Sequence, residues 1–346
     1  MKIDADFCAN SYLRYRTLVD HDRCFGAHNP TWFYHNPDPR AAVNTADELD
    51  AQLRKQMDRA LSQGPVALML SGGMDSAILA RYLPEGTQTY TLHCEAPGAI
   101  DETQAARIYA RENGLRHKVV HITWQDFEQY TLPLMRQKGY PIHSIEVQIY
   151  KAALQARADG IQTLIFGETA DIIYGGHSKL LSREWTPEEF WQRFSFVDPN
   201  LVLRKPMELK EPILPYVCPD GTVDVFGFLN GFEYDVSLGF YHNACRLAGM
   251  ALFAPYAHTI LGHPLDIARI RSGEGKYVVR DLFCRLYPDL PIPEKTPLPR
   301  PMAQWLKEWK WPLHPKLRGE HIEELSGDQK WYVYALNEFL THVWER

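Results

Sequence analysis

The sequence is most informative first for what it lacks. None of its apolar stretches approaches the ~18 residues that a membrane-spanning helix requires, so no membrane partner is expected. Long blocks of Lys or Arg are absent, and 37 basic residues against 43 acidic ones leave a net charge of −6. That balance argues against nucleic acid as the main partner. The six cysteines, Cys8, Cys24, Cys94, Cys218, Cys245 and Cys284, form no CxxC pair. In a chain of 346 residues they read as reduced thiols of a cytoplasmic protein rather than a disulfide framework. The opening residues MKIDADFCANSYLRYR lack the continuous apolar centre of a signal peptide. A GxxxxGK[ST] phosphate loop is missing too. SGEGKY (272–277) has the Gly-Lys pair without the earlier glycine or the hydroxyl residue that follows.

What is present is an alternation of strand and helix signals. Residues 1–44 read as an irregular segment, with a turn-rich stretch over 28–40. Thr45 followed by Glu48 is a capping signal, and Leu49, Leu53, Met57 and Leu61 continue with helical spacing. Short apolar runs at Val66–Leu70, Thr87–Cys94, Lys118–Ile122 and Thr163–Phe166 fit buried parallel strands. Helices are expected over Ser76–Tyr82, Asp101–Asn113 and Ile145–Ala158. This order predicts an α/β fold with a doubly wound, mostly parallel sheet over about residues 45–180, followed by a mostly helical C-terminal part over 181–346.

The stretch PVALMLSGGMDSAILA (65–80) carries the strongest chemical signal. A loop leaving a parallel strand lies at the carboxyl edge of the sheet, where such folds bind ligands. Gly72 and Gly73 let the backbone approach an anion, and the next helix presents the positive end of its dipole. Ser71 and Ser76 add hydroxyls. Asp75 would repel a bare phosphate, so its presence points to a bridging Mg²⁺, which takes carboxylate and phosphate oxygens together.

SGGMDS resembles the PP-loop of the N-type ATP pyrophosphatases, and LIFGETADIIYGG (164–176) resembles the second signature of the asparagine synthetase synthetase domain. Pro255-Tyr256, GKYVVR (275–280) and EKTPLP (294–299) extend the likeness, which spans about residues 50–300. The resemblance implies the adenine nucleotide alpha-hydrolase-like fold, ATP and Mg²⁺ as cofactors, and an AMP- and pyrophosphate-forming ligase. It assigns Asp75 and Asp171 to Mg²⁺, and Ser71, Gly72, Gly73, Ser76, Gly167 and Lys276 to ATP and pyrophosphate. Lys295 would stabilise charge at the α-phosphorus, and Glu168 would orient the incoming amine and accept its proton. The partners implied are a small-molecule carboxylate and an ammonia or amine donor.

Departures from the pattern matter. Glu168 stands where β-lactam synthetases typically carry tyrosine, which favours the amide-forming branch. Ile172 replaces the second acid of the family's Asp-Glu pair, and Thr169 replaces a glycine. Residue 2 is Lys, not the catalytic Cys of a glutaminase domain. The expected nitrogen source is therefore free ammonia, a separate glutaminase subunit or an amine on the substrate. An intramolecular lactam former, a tRNA-modifying enzyme and a catalytically silent ATP-binding regulator are the alternative readings. His143, on an expected loop at the sheet edge, is a weaker candidate for substrate contact. His21, Cys24 and His28 have metal-ligand chemistry at a spacing that fits no common zinc pattern. His93, His117 and His121 read as strand residues, and Trp305, Trp309, Trp311 and Trp331 as packing.

Overall fold

A computed structural model describes residues 1–26, 28–33, 39–296, 298–309 and 312–344. Trp311 and His35 lie outside the described residues. The central sheet has five parallel strands: β1 (Val66–Met69), β2 (Gln88–Cys94), β3 (Arg116–Ile122), β4 (Thr163–Ile165) and β5 (Ala251–Phe253). Their order is β3-β2-β1-β4-β5. From β1 the chain winds outward through β2 and β3, then crosses to the other side of β1 for β4. The strand order reverses between β1 and β4, and their carboxyl ends flank the crevice where doubly wound sheets bind ligands.

The expected α/β elements are present with shifts of a few residues. α2 (Ala46–Ser62) follows an N-terminal helix, α1 (Ala5–Tyr15), and begins where the capping signal places it. The Thr45 hydroxyl accepts the Glu48 amide proton at 3.2 Å, and the Glu48 carboxylate accepts that of Asn44 at 2.6 Å. Leu49, Leu53 and Met57 of α2 are fully buried. α3 (Met74–Ala80), α4 (Thr103–Glu112), α5 (Trp124–Lys138) and α6 (Ser144–Ala158) alternate with the strands. A short helix, α7 (Ala170–Ile173), follows β4. The longer later helices are α8 (Tyr234–Ala248), α9 (Tyr277–Leu286) and α10 (Gly327–Phe339).

Three expectations need correction. Residues 1–44 are not irregular: α1 is capped by Asp4, whose carboxylate accepts the Phe7 amide proton at 3.1 Å. All of α1 except Asp6 is buried. A helix enclosed on every side shows no apolar stripe, so the usual signal is missing. The sheet is also not confined to residues 45–180, because β5 comes from the C-terminal part and pairs with β4. Finally, His143 does lie on the connection before α6, but it is buried there rather than presented to a cavity. Its Nδ1 accepts the Ile145 amide proton at 3.0 Å, which makes it the N-cap of α6.

The aromatic residues near the C-terminus pack. Trp305 sits 5.1 Å from Phe127, Trp331 is also 5.1 Å from Phe127, and Trp309 is 5.6 Å from Tyr334, measured between ring centroids. His21 stacks on Trp32, and Cys24 is buried in a short parallel ladder with Lys2–Ile3. Among the described residues, no cluster of three or more His, Cys, Asp or Glu side chains forms a metal site. No helix among them is long and apolar enough to cross a membrane.

Candidate active site

The loop after β1 is held in shape by its own hydroxyls. Ser76 is buried in the first turn of α3, where its Oγ accepts the Ser71 amide proton at 3.0 Å and lies 3.0 Å from the Ser71 Oγ. The Ser71 Oγ in turn accepts the Gly73 amide proton at 3.2 Å. The loop after β4 comes very close: a Cβ on Gly167 would lie 3.0 Å from the Ser76 nitrogen and 3.1 Å from the Asp75 Cβ. Gly167 thus lets the two strand ends meet. Gly176 has a similar reason, since a Cβ there would overlap the Asp171 carboxylate.

These loops bring Asp75 and Asp171 onto one lysine. The Lys276 ammonium lies 2.8 and 2.7 Å from the two Asp75 carboxylate oxygens and 2.8 Å from Asp171 Oδ1. The other Asp171 oxygen lies 2.9 Å from the Lys295 ammonium, which also donates to the Gly176 carbonyl at 2.9 Å. The cluster is graded in exposure. The Lys276 side chain is 7% exposed, Asp75 22%, Asp171 32% and Lys295 54%, so the chain of charges runs from the interior to a cavity. Burial works against the Lys276 ammonium, yet Asp75 and Asp171 overcome that and raise its pKa. Burial also opposes ionisation of Asp171, but Lys276 and Lys295 hold its pKa below the usual carboxylate range. Asp75, nearer the interior, is pushed upward by burial despite Lys276.

The cavity has a volume of about 260 Å³ and is lined by Ser71, Asp75, Ser76, Gly167, Glu168, Asp171 and Lys295. Seven of the ten residues singled out in the sequence therefore face one space, at the reversal of strand order. Gly72, Gly73 and Lys276 sit directly behind it, in the loop and in the ion cluster. Glu168 is oriented by Ser237, whose hydroxyl donates to its Oε1 at 2.7 Å. Tyr241, one turn further along α8, lines the same cavity.

Several participants escaped the sequence reading. Glu102 is buried beside the loop and accepts the Thr296 hydroxyl proton at 3.0 Å and the Gly72 amide proton. It thereby ties the β1 loop to the proline-rich segment that carries Lys295. Tyr256, noted in the sequence only as part of the likeness and given no role there, donates to the Asp75 carbonyl at 3.1 Å. Ser237 and Tyr241 lie on α8, where no motif separates them from packing residues. Lys276 and Thr169 adopt φ of 55° and 73°, left-handed values that side chains disfavour. Such strain gathers at functional sites.

Residues 45–216 match the Asparagine synthase family model. Over that segment, just under half of the chain, the protein is similar to asparagine synthases. Asparagine synthetase [glutamine-hydrolyzing] 3 from Arabidopsis thaliana is 25% identical over 173 residues, which cover 43% of this chain. The match spans only 28% of that relative's length. Among solved structures, the U34-tRNA thiolase NcsA from Methanococcus maripaludis with its [4Fe-4S] cluster is similar at 15% identity, with a TM-score of 0.28. That likeness covers 71% of this chain and 80% of the thiolase.

Proposed function

We propose that this protein forms amide bonds at the expense of ATP, through an acyl-adenylate. The observation that carries the reading is the convergence of Asp75, Asp171, Lys276, Lys295 and Glu168 around the β1 loop at one sheet edge.

Two carboxylates that converge on a single cationic position are a donor set suited to Mg²⁺ with phosphate oxygens completing its shell. Bound by Asp75 and Asp171, Mg²⁺ would supply neutralisation of the triphosphate charge. The Ser71, Gly72 and Gly73 amide protons are taken by side chains of the loop and by Glu102, so the departing pyrophosphate would be met by the N–H groups of the first turn of α3 and by the Ser71 hydroxyl. A substrate carboxylate oxygen attacks the α-phosphorus, the bond from that phosphorus to the bridging oxygen breaks, and pyrophosphate leaves. Lys295 stabilises the charge that builds on the α-phosphoryl oxygens. Ammonia or an amine then attacks the acyl carbon, and AMP departs. Glu168, fixed by Ser237, accepts the proton released by the nitrogen. The nitrogen is taken as free ammonia, as a product of a separate glutaminase subunit, or from the substrate itself.

The test is mass spectrometry of the protein incubated with Mg·ATP, a pool of metabolite carboxylates and ¹⁵N-ammonium. AMP together with a ¹⁵N-labelled amide is the expected result. AMP with an unlabelled amide would assign the amine to the substrate. Formation of ADP, or ATP that stays intact with a glutaminase and glutamine added, would overturn the adenylation chemistry.

A further inference from the structure

Lys295 faces two spaces. Beyond it from the nucleotide-side cavity lies a chamber of about 760 Å³, lined among others by Arg16, His177, Lys179, Arg193, Phe194 and Asp328. Arg16 and Asp328 fall outside the segment that matches the family model, so this wall belongs to the rest of the chain.

Arg16 is placed at a conformational cost. It ends α1 with φ of 64°, its amide donating to the Tyr12 carbonyl at 2.8 Å. Glycine fills that left-handed position without steric penalty, yet this chain carries an arginine. The guanidinium lies over the Phe194 ring at 4.8 Å and pairs with Glu233 at 3.0 Å. Arg16, Thr169 and Lys276 are the non-glycine residues with positive φ among the described residues. All three adjoin these two spaces.

The charge of the chamber is one-sided. Its carboxylate, Asp328, is already engaged by Arg300 at 3.4 Å. Lys179 and Arg193 are exposed at the rim, and neither has an ion-pair partner among the described residues. The N-terminus of α10, capped by Ser326, opens on the same space and adds its positive dipole end. A cationic or neutral tail would leave these cations without a partner, whereas an anionic tail would satisfy them.

We propose that the acid activated here is long and carries a second anionic group, a carboxylate or a phosphate, at the end remote from the reacting carboxyl. The reacting carboxyl lies beside Lys295, and the second anion reaches toward Lys179 and Arg193. This assignment rests on the acyl-adenylate reading.

The experiment uses two matched pairs: hexanoate with adipate, and gluconate with 6-phosphogluconate. Each pair keeps the carboxyl head and adds an anion at the far end, as carboxylate in one and phosphate in the other. Binding is measured by calorimetry with Mg²⁺ and α,β-methylene-ATP present, for the full chain and for a Lys179→Gln/Arg193→Gln double variant. Thermal melting checks that the variant folds. The expected result is that at least one tailed acid binds roughly tenfold tighter than its partner, and that the double variant erases the difference. The pair that responds tells carboxylate from phosphate. Equal binding within both pairs, no binding of any acid, or a preference that survives in the double variant would overturn the proposal. ATP–pyrophosphate exchange is followed in parallel. A tail preference erased by the double variant, without exchange for any acid, would leave the chamber as an anion site and remove the adenylation reading instead.

Discussion

Two lysine–carboxylate clusters in this molecule share their chemistry and differ in their fate. In one, Lys138 lies 2.6 Å from Glu146 with side-chain exposures of 3% and 0%. The Glu146 oxygens are saturated: one also accepts the His143 amide proton at 2.8 Å, and the other accepts from Asn243 at 2.6 Å. In the other, Lys276 and Lys295 meet Asp75 and Asp171 at a cavity, and exposure rises outward to 54% at Lys295. The first cluster bridges α5, α6 and α8; Lys138 and Asn243 border a separate cavity of about 310 Å³, but both Glu146 oxygens are engaged by hydrogen bonds and its side chain is fully buried. The second is open on the side of the cavity, so phosphate oxygens can displace or join its contacts. A buried ion pair thus says little about function until its free valences and its access to a cavity are known.

The sharpest way to break the comparison is to remove one partner from each cluster. Lys138→Met should destabilise the fold by about 3–5 kcal/mol, because Glu146 is left buried without its counter-charge. Denaturant unfolding reads that loss directly. Lys295→Met should change stability by no more than about 0.5 kcal/mol, since an exposed pair contributes little. Its AMP formation should fall roughly 10²- to 10³-fold, the scale of losing one charge-stabilising donor. If Lys295→Met lost as much stability as Lys138→Met, or Lys138→Met lost none, the division between the clusters would be wrong.

A smaller effect separates orientation from contact at Glu168. Ser237→Ala removes one hydrogen bond and should lower kcat by roughly 3- to 10-fold, in line with about 0.5–1.5 kcal/mol per bond, with KM for ATP unchanged. Ser237→Thr, which keeps the hydroxyl, should recover most of the rate. Equal losses in both variants would show that Ser237 acts through packing.

The same contrast explains what was legible in the sequence. The strands and the β1 loop could be read because their signals are local: an apolar run of strand length, then Ser71-Gly72-Gly73 at its end. The reach of Lys276 to Asp75 was not legible, since 201 residues separate them and nothing local distinguishes that lysine from a surface one. The resemblance marked Lys276 as a phosphate-binding residue, and only the fold shows its contact with Asp75. α1 escaped because it is buried all round, and α5 because Pro133 inside it reads as a breaker. Glu102 escaped for a third reason: a carboxylate at a helix start is ordinary, and only the fold shows that it touches both Gly72 and Thr296.

His143 provides the finest test, because it sits on the structural side of the comparison although its position before α6 had suggested substrate contact. Burial, aided by the positive charges of Arg300, Arg16 and Lys138, holds its pKa well below the usual 6.5. Neutrality suits its task, for the Nδ1 lone pair must stay free to accept the Ile145 amide proton. In the unfolded chain the imidazole takes up a proton near pH 6.5, whereas the folded protein resists until the pH is lower. The unfolded state therefore binds more protons in that window, and stability is lost as pH falls through it. Above pH 6.5 the contribution is fully present. His143→Asn keeps a capping oxygen but does not titrate, so its urea midpoint should fall less steeply between pH 6.5 and about pH 5. Identical slopes in the two proteins would mean that His143 is charged in the fold, and that the cap must be held by something other than its lone pair.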